Sequence, residues 1–123
     1  MAKKIMLVDD EPEILDLVAM RLKTFGYDVI VAPDGQKALE ALNKQIPDLI
    51  LLDVMIPGKD GYEICNEIKT NDRTSRIPVI LFTAKPEQKE KLKSNYDFIA
   101  ADDYILKPFE PEDLLLKIKR FIG

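Results

Sequence analysis

Leu49-Ile50-Leu51-Leu52-Asp53 is an unbroken apolar run that stops on a carboxylate. A strand with one wet face alternates apolar and polar residues, whereas a strand covered on both faces reads as a continuous apolar run. The same form recurs on either side. Ile5-Met6-Leu7-Val8 stops at Asp9-Asp10, and Val79-Ile80-Leu81-Phe82 stops at Thr83. Val29-Ile30-Val31 and Tyr104-Ile105-Leu106 are shorter runs, as expected at or near sheet edges.

Helix-period segments separate these runs. Ile14, Leu15, Val18, Leu22 and Phe25 share one face, with Pro12 in the first turn and Gly26 past the end. Ala38, Leu39, Leu42 and Ile46 give a second face, and Ile64, Cys65 and Ile68 a third. The last helix presents Leu114, Leu115, Ile118, Phe121 and Ile122, and it opens on Pro111-Glu112-Asp113, acids favoured by the helix dipole. Between Pro86 and Phe98 the chain is charge-rich, and only Leu92, Tyr96 and Ile99 keep an apolar helical spacing, so the loosest of five helices is expected there. Strand–helix alternation repeated five times implies an α/β domain with right-handed crossovers and a mainly parallel sheet.

Composition bounds the chemistry. The 123 residues suit one domain, read as residues 1–123. Apolar residues at 46% can build a core, and the net charge of -4 argues against broad nucleic-acid binding. One cysteine, Cys65, allows no intramolecular disulfide, and it reads as a small core residue. The absence of histidine removes imidazole catalysis and His-ligated metals. No signal-peptide pattern and no apolar run of membrane-spanning length is present, so a soluble cytoplasmic protein is expected.

Ligands of parallel α/β sheets gather at the carboxyl ends of the strands. Asp9, Asp10, Asp53, Thr83 and Lys107 stand at such ends on four different strands. An acid after a strand is often only a cap, but four strand ends at once ask for more than capping. Clustered carboxylates repel unless something positive lies among them, and their hard oxygens suit Mg²⁺ or Mn²⁺. Lys107 offers a point charge for a phosphoryl oxygen and Thr83 a hydroxyl donor.

The stretches Val8-Asp9-Asp10-Glu11, Leu52-Asp53-Val54-Met55-Ile56-Pro57-Gly58-Lys59-Asp60-Gly61, Phe82-Thr83-Ala84 and Asp102-Asp103-Tyr104-Ile105-Leu106-Lys107-Pro108-Phe109 resemble the receiver domains of two-component response regulators, the chemotaxis-type single-domain receivers among them. The resemblance runs over essentially the whole chain. It implies a doubly wound (βα)5, flavodoxin-like three-layer sandwich with a five-stranded parallel sheet in the order 2-1-3-4-5. It makes Asp53 the phosphoacceptor in a Mg²⁺-dependent transfer from a histidine kinase or phosphotransfer protein. Asp9, Asp10, Asp53 and the backbone carbonyl of Met55 would hold the cation. Thr83 and Lys107 would bind the phosphoryl group, and Thr83 and Tyr104 would form the switch. Ala84 matches a position kept small for donor access, and Met55 and Lys85 match positions that tune dephosphorylation. Gly61 matches a turn needing no Cβ, and Lys107-Pro108 a cis peptide. The reader of the switch would be a downstream protein or a fused effector, meeting the face of the fourth helix, fifth strand and fifth helix. The protein would be a monomer or a phosphorylation-dependent homodimer, with no direct nucleic-acid or membrane contact.

Two departures from the family pattern lie near that face. The span from Thr83 to Lys107 carries two more residues than in the commonest receivers, and Ala100-Ala101 stands where many have Gly-Ala. A metal-dependent phosphatase or phosphotransferase with an aspartyl-phosphate intermediate is the rival reading. Such enzymes usually place an acid–base Asp two residues after the nucleophile, and here that position is Met55. A flavin- or dinucleotide-binding module is weaker still, for there is no G-x-G-x-x-G and no glycine after the first strand.

Overall fold

The computed structural model describes residues 2–54, 61–83, 101–107 and 109–123, with Thr83 described through its backbone. Five strands, β1 (Lys4–Val8), β2 (Asp28–Ala32), β3 (Leu49–Asp53), β4 (Val79–Thr83) and β5 (Asp103–Leu106), form one sheet. Every pairing is parallel, and the order is β2-β1-β3-β4-β5. The two shorter apolar runs are indeed the edges. Helices α1 (Pro12–Thr24), α2 (Gly35–Lys44), α3 (Gly61–Thr70) and a C-terminal helix (Pro111–Ile122) cover the sheet. The charge-rich segment expected to hold a further helix, with Leu92, Tyr96 and Ile99, lies outside the described residues, as does Ala84-Lys85.

Alternation along the strands sends side chains to two cores. Met6, Val8, Ile50 and Leu52 pack with Ala38, Leu42, Ile64, Cys65 and Ile68, the inward faces of α2 and α3. Ile5, Leu7, Leu49, Leu51, Ile80 and Phe82 pack with Val18, Ala19 and Leu22 of α1 and with Leu114 and Ile118 of the C-terminal helix. This is a three-layer sandwich, and the central strands are unbroken in sequence because both of their faces are covered. Burying each of these large aliphatic side chains contributes about 2 kcal/mol of gross stabilisation.

The helix ends follow local chemistry. Pro12 occupies the first turn of α1, and Gly26 lies past its end at φ 97, in the left-handed region. The Asp34 side chain caps α2 by accepting from the Lys37 N–H at 2.8 Å. One expectation fails here. Ile46 does not extend the apolar face of α2, which stops at Lys44 with Gln45 already extended, and Ile46 is exposed. The Pro47 ring disfavours helical backbone at the residue before it, so the helix closes early.

Candidate functional site

The register builds the site. Val8 pairs with Leu52, so Asp9 follows one step beyond, level with Asp53. Thr83 pairs with Leu106, which sets Lys107 one step past Thr83 at the same edge. From β1 the chain leaves to β2 on one side and returns to β3 on the other, so the carboxyl ends of β1 and β3 flank the topological switch point.

Asp9 is fully buried and Asp53 nearly so, while Asp10 and Glu11 are exposed. Asp9 does two jobs. Its Oδ1 accepts the Glu11 N–H at 3.0 Å, closing the turn that starts α1. Its Oδ2 accepts from Lys107 Nζ at 2.8 Å. The same ammonium donates to Asp53 Oδ2 at 3.2 Å and lies 3.6 Å from Glu11 Oε1. Local capping and long-range assembly therefore share one carboxylate.

Lys107 is held on its other side by aromatic rings. Its Nζ stands 5.7 Å from the centroid of Phe82, and Phe82 stacks on Phe109 at 5.2 Å. Burial alone would pull the lysine down and is the largest single influence. The hydrogen bond that Lys107 donates to Asp9 and the charges of Asp53 and Asp9 together outweigh it, and the group sits above its usual range. At neutral pH Lys107 therefore keeps a firm positive charge in the cleft.

Gly61 closes the site from below. Its N–H donates to the Val54 carbonyl at 2.9 Å, and a Cβ there would run into the Asp53 carbonyl oxygen and stand 2.5 Å from Val54 Cα. Close backbone approach, not a positive φ, is what requires glycine.

Asp9, Asp10, Glu11 and Asp53 can each direct a carboxylate oxygen so that all lie within 4.8 Å of one another. Hard oxygens at this spacing fit a small divalent cation that keeps waters and uses few carboxylates. Glu11 is the member that sequence reasoning missed as a site residue. The signal available was its place directly after Asp9-Asp10, which looks like an ordinary helix start. The Met55 carbonyl, Ala84, Lys85 and Pro108 lie outside the described residues, and for Thr83 only the backbone position is given. Tyr104 is partly buried against the α2–α3 core, with Leu81 of β4 as its sheet partner.

The chain is thus a doubly wound α/β domain with a carboxylate cleft at its switch point, bridged by Lys107 just past the last strand. Residues 5–119 match the model of the response regulator receiver domain, and the chain belongs to that family, the receiver domains of two-component systems. Solved structures agree. The chemotaxis response regulator CheY4 of Vibrio cholerae is 29% identical with a TM-score of 0.89, over 98% of this chain and 99% of that one. The receiver domain of the sensor histidine kinase PA1611 from Pseudomonas aeruginosa PAO1, with a magnesium ion coordinated in its active site cleft, is 32% identical with a TM-score of 0.89, over 100% and 99%. NtrX from Brucella abortus is 33% identical with a TM-score of 0.86, over 99% of this chain but 27% of that longer one. No helix among the described residues is long and apolar enough to cross a membrane.

Proposed function

We propose that residues 1–123 act as one phosphorylation-dependent switch, in which Asp53 accepts a phosphoryl group from a histidine kinase or phosphotransfer protein. The observation that carries this is the Lys107 ammonium lying between Asp9 Oδ2 and Asp53 Oδ2 at the switch point. A carboxylate oxygen of Asp53 attacks the phosphorus of a phosphohistidine. The new P–O bond forms as the P–N bond breaks, and the leaving imidazole keeps the electron pair and takes a proton from water. Such transfers depend on positioning and charge neutralisation more than on covalent assistance.

Lys107 is anchored at 2.8 Å to Asp9, so it can shift its weaker bond from Asp53 to a phosphoryl oxygen without losing its place. Asp9, Asp10 and Asp53, with the Met55 carbonyl, are the residues that would hold Mg²⁺ or Mn²⁺. A cation there would neutralise charge on the transferring oxygens.

The added charge on Asp53 would draw the Thr83 hydroxyl inward, and Tyr104 would follow into the vacated space. The output face would then be that of β5, the C-terminal helix and the segment before β5 expected to hold the fourth helix, read by a downstream protein or a fused effector. The test is incubation with a small phosphodonor and Mg²⁺ followed by intact mass. A single labile phosphoryl adduct is expected, lost in Asp53→Asn. Full labelling of that variant would place the acceptor elsewhere.

A further inference from the structure

Glu11 stands at the mouth of the cleft in a way that neither capping nor core packing explains. It is the N-cap residue of α1, yet its side chain makes no capping hydrogen bond. Its backbone is tied down instead, through the N–H that donates to the buried Asp9. Its carboxylate, 60% exposed, reaches to 3.6 Å from Lys107 Nζ on the solvent side of the Asp9–Lys107–Asp53 bridge. Among the described residues the carboxylates of Asp9, Asp10, Glu11 and Asp53 gather around the Lys107 ammonium, so formal charge there is on balance negative.

We infer that Glu11 is a specificity-determining residue for the phosphodonor: its carboxylate screens the mouth against multiply charged anionic donors and so favours donors of lower charge. This rests on the reading of Asp53 as phosphoacceptor. The physical basis is Coulombic. The repulsion between one fixed carboxylate and a donor scales with the donor's charge, so the factor for a dianion should be about the square of the factor for a monoanion. Glu11 is solvent-exposed, so the effect should be moderate and screened by salt. A purely structural role would slow or speed all donors alike.

The experiment compares initial rates of Asp53 labelling by acetyl phosphate, a dianion at neutral pH, and by phosphoramidate, of lower charge, at saturating Mg²⁺. The proteins are the wild type, Glu11→Gln and Glu11→Asp. Glu11→Gln should raise the acetyl phosphate rate roughly fivefold and the phosphoramidate rate only about twofold. High salt should shrink both gains. Glu11→Asp keeps the charge, so its ratio of the two rates should stay near that of the wild type, and it also controls for folding. Equal factors for both donors, or a ratio unchanged in Glu11→Gln, would overturn the proposal while leaving Asp53 as acceptor. A wild-type chain that takes no label from either donor would overturn the functional reading and this proposal together.

Discussion

Lys69 and Lys107 lie almost buried at opposite edges of one sheet. Lys69, at the amino ends of β4 and β5, donates to the Ile77 carbonyl at 2.7 Å and pairs with Asp102 Oδ2 at 2.8 Å. That carboxylate also accepts the Val79 N–H at 2.8 Å. One cation meets one anion, backbone groups complete the set, and the pair is balanced. Lys107 at the carboxyl edge faces Asp9, Asp53 and Glu11 with a single charge. The first arrangement is a clasp that joins α3 to the starts of two strands. Among the described residues the second carries more negative than positive charge, which suits an additional cation. Burial of a lysine marks neither as functional; the charge balance around it does.

The sharpest way to break this contrast is the same chemical change at both ends. Asp53→Asn should lose all phosphoryl labelling by intact mass, and Asp102→Asn should keep all of it. Labelling that falls equally in the two variants would mean that the distinction between clasp and site is wrong.

A stability measurement separates them next. Lys69→Met removes the cation from a paired carboxylate and abandons a carbonyl acceptor, at a cost of about 2 kcal/mol in urea unfolding. Asp53→Asn relieves repulsion at the other edge and should leave stability unchanged or slightly higher. A large loss in Asp53→Asn would show that the carboxyl edge is as balanced as the clasp.

Much of the carboxyl edge was legible in the sequence, and its opposite was not. β1, β3 and β4 are readable because covering both faces leaves an apolar run, and the run ends where the site begins. Asp9 and Lys107 are 98 positions apart, yet each could be placed by the strand it terminates. The Lys69–Asp102 clasp has no such marker, since Lys69 looks like a solvated lysine in the last turn of α3. Glu11 was hidden for a related reason, because its reach to Lys107 depends on the turn made by Asp9. Ile46 was misplaced by periodicity because the veto of Pro47 acts through backbone sterics, which apolar spacing does not register. Gly61 was placed for the right atom, but the cause is the approach of Asp53 and Val54.

Surplus charge also predicts where a cation should stabilise the fold. Mg²⁺ at ten times its dissociation constant should raise the unfolding free energy by about 1.4 kcal/mol in the wild type. Asp102→Asn should show the same gain, and Asp10→Ala should show none. Asp10 is exposed, so that variant still folds and its response can be read. An undiminished gain in Asp10→Ala would remove it from the cation site.

The smallest effect belongs to the clasp's neighbour, Cys65. The thiol is fully buried in the α2–α3 core. Burial pushes its pKa from 9.0 up to about 12, with the charge of Lys69 opposing and that of Asp102 assisting. The folded protein thus holds this proton more tightly than the unfolded chain does. The associated stability is whole below about pH 9 and is lost as pH rises from there toward 12. Between pH 8.5 and 10 the wild type should lose about 1 kcal/mol more than Cys65→Ala, measured by urea unfolding of both at each pH. The alanine variant carries a constant offset from its smaller side chain, so only the difference in slope counts. Parallel pH profiles would mean that the thiol ionises as readily in the fold as outside it, and that the clasp side of the core is wetter than its packing implies.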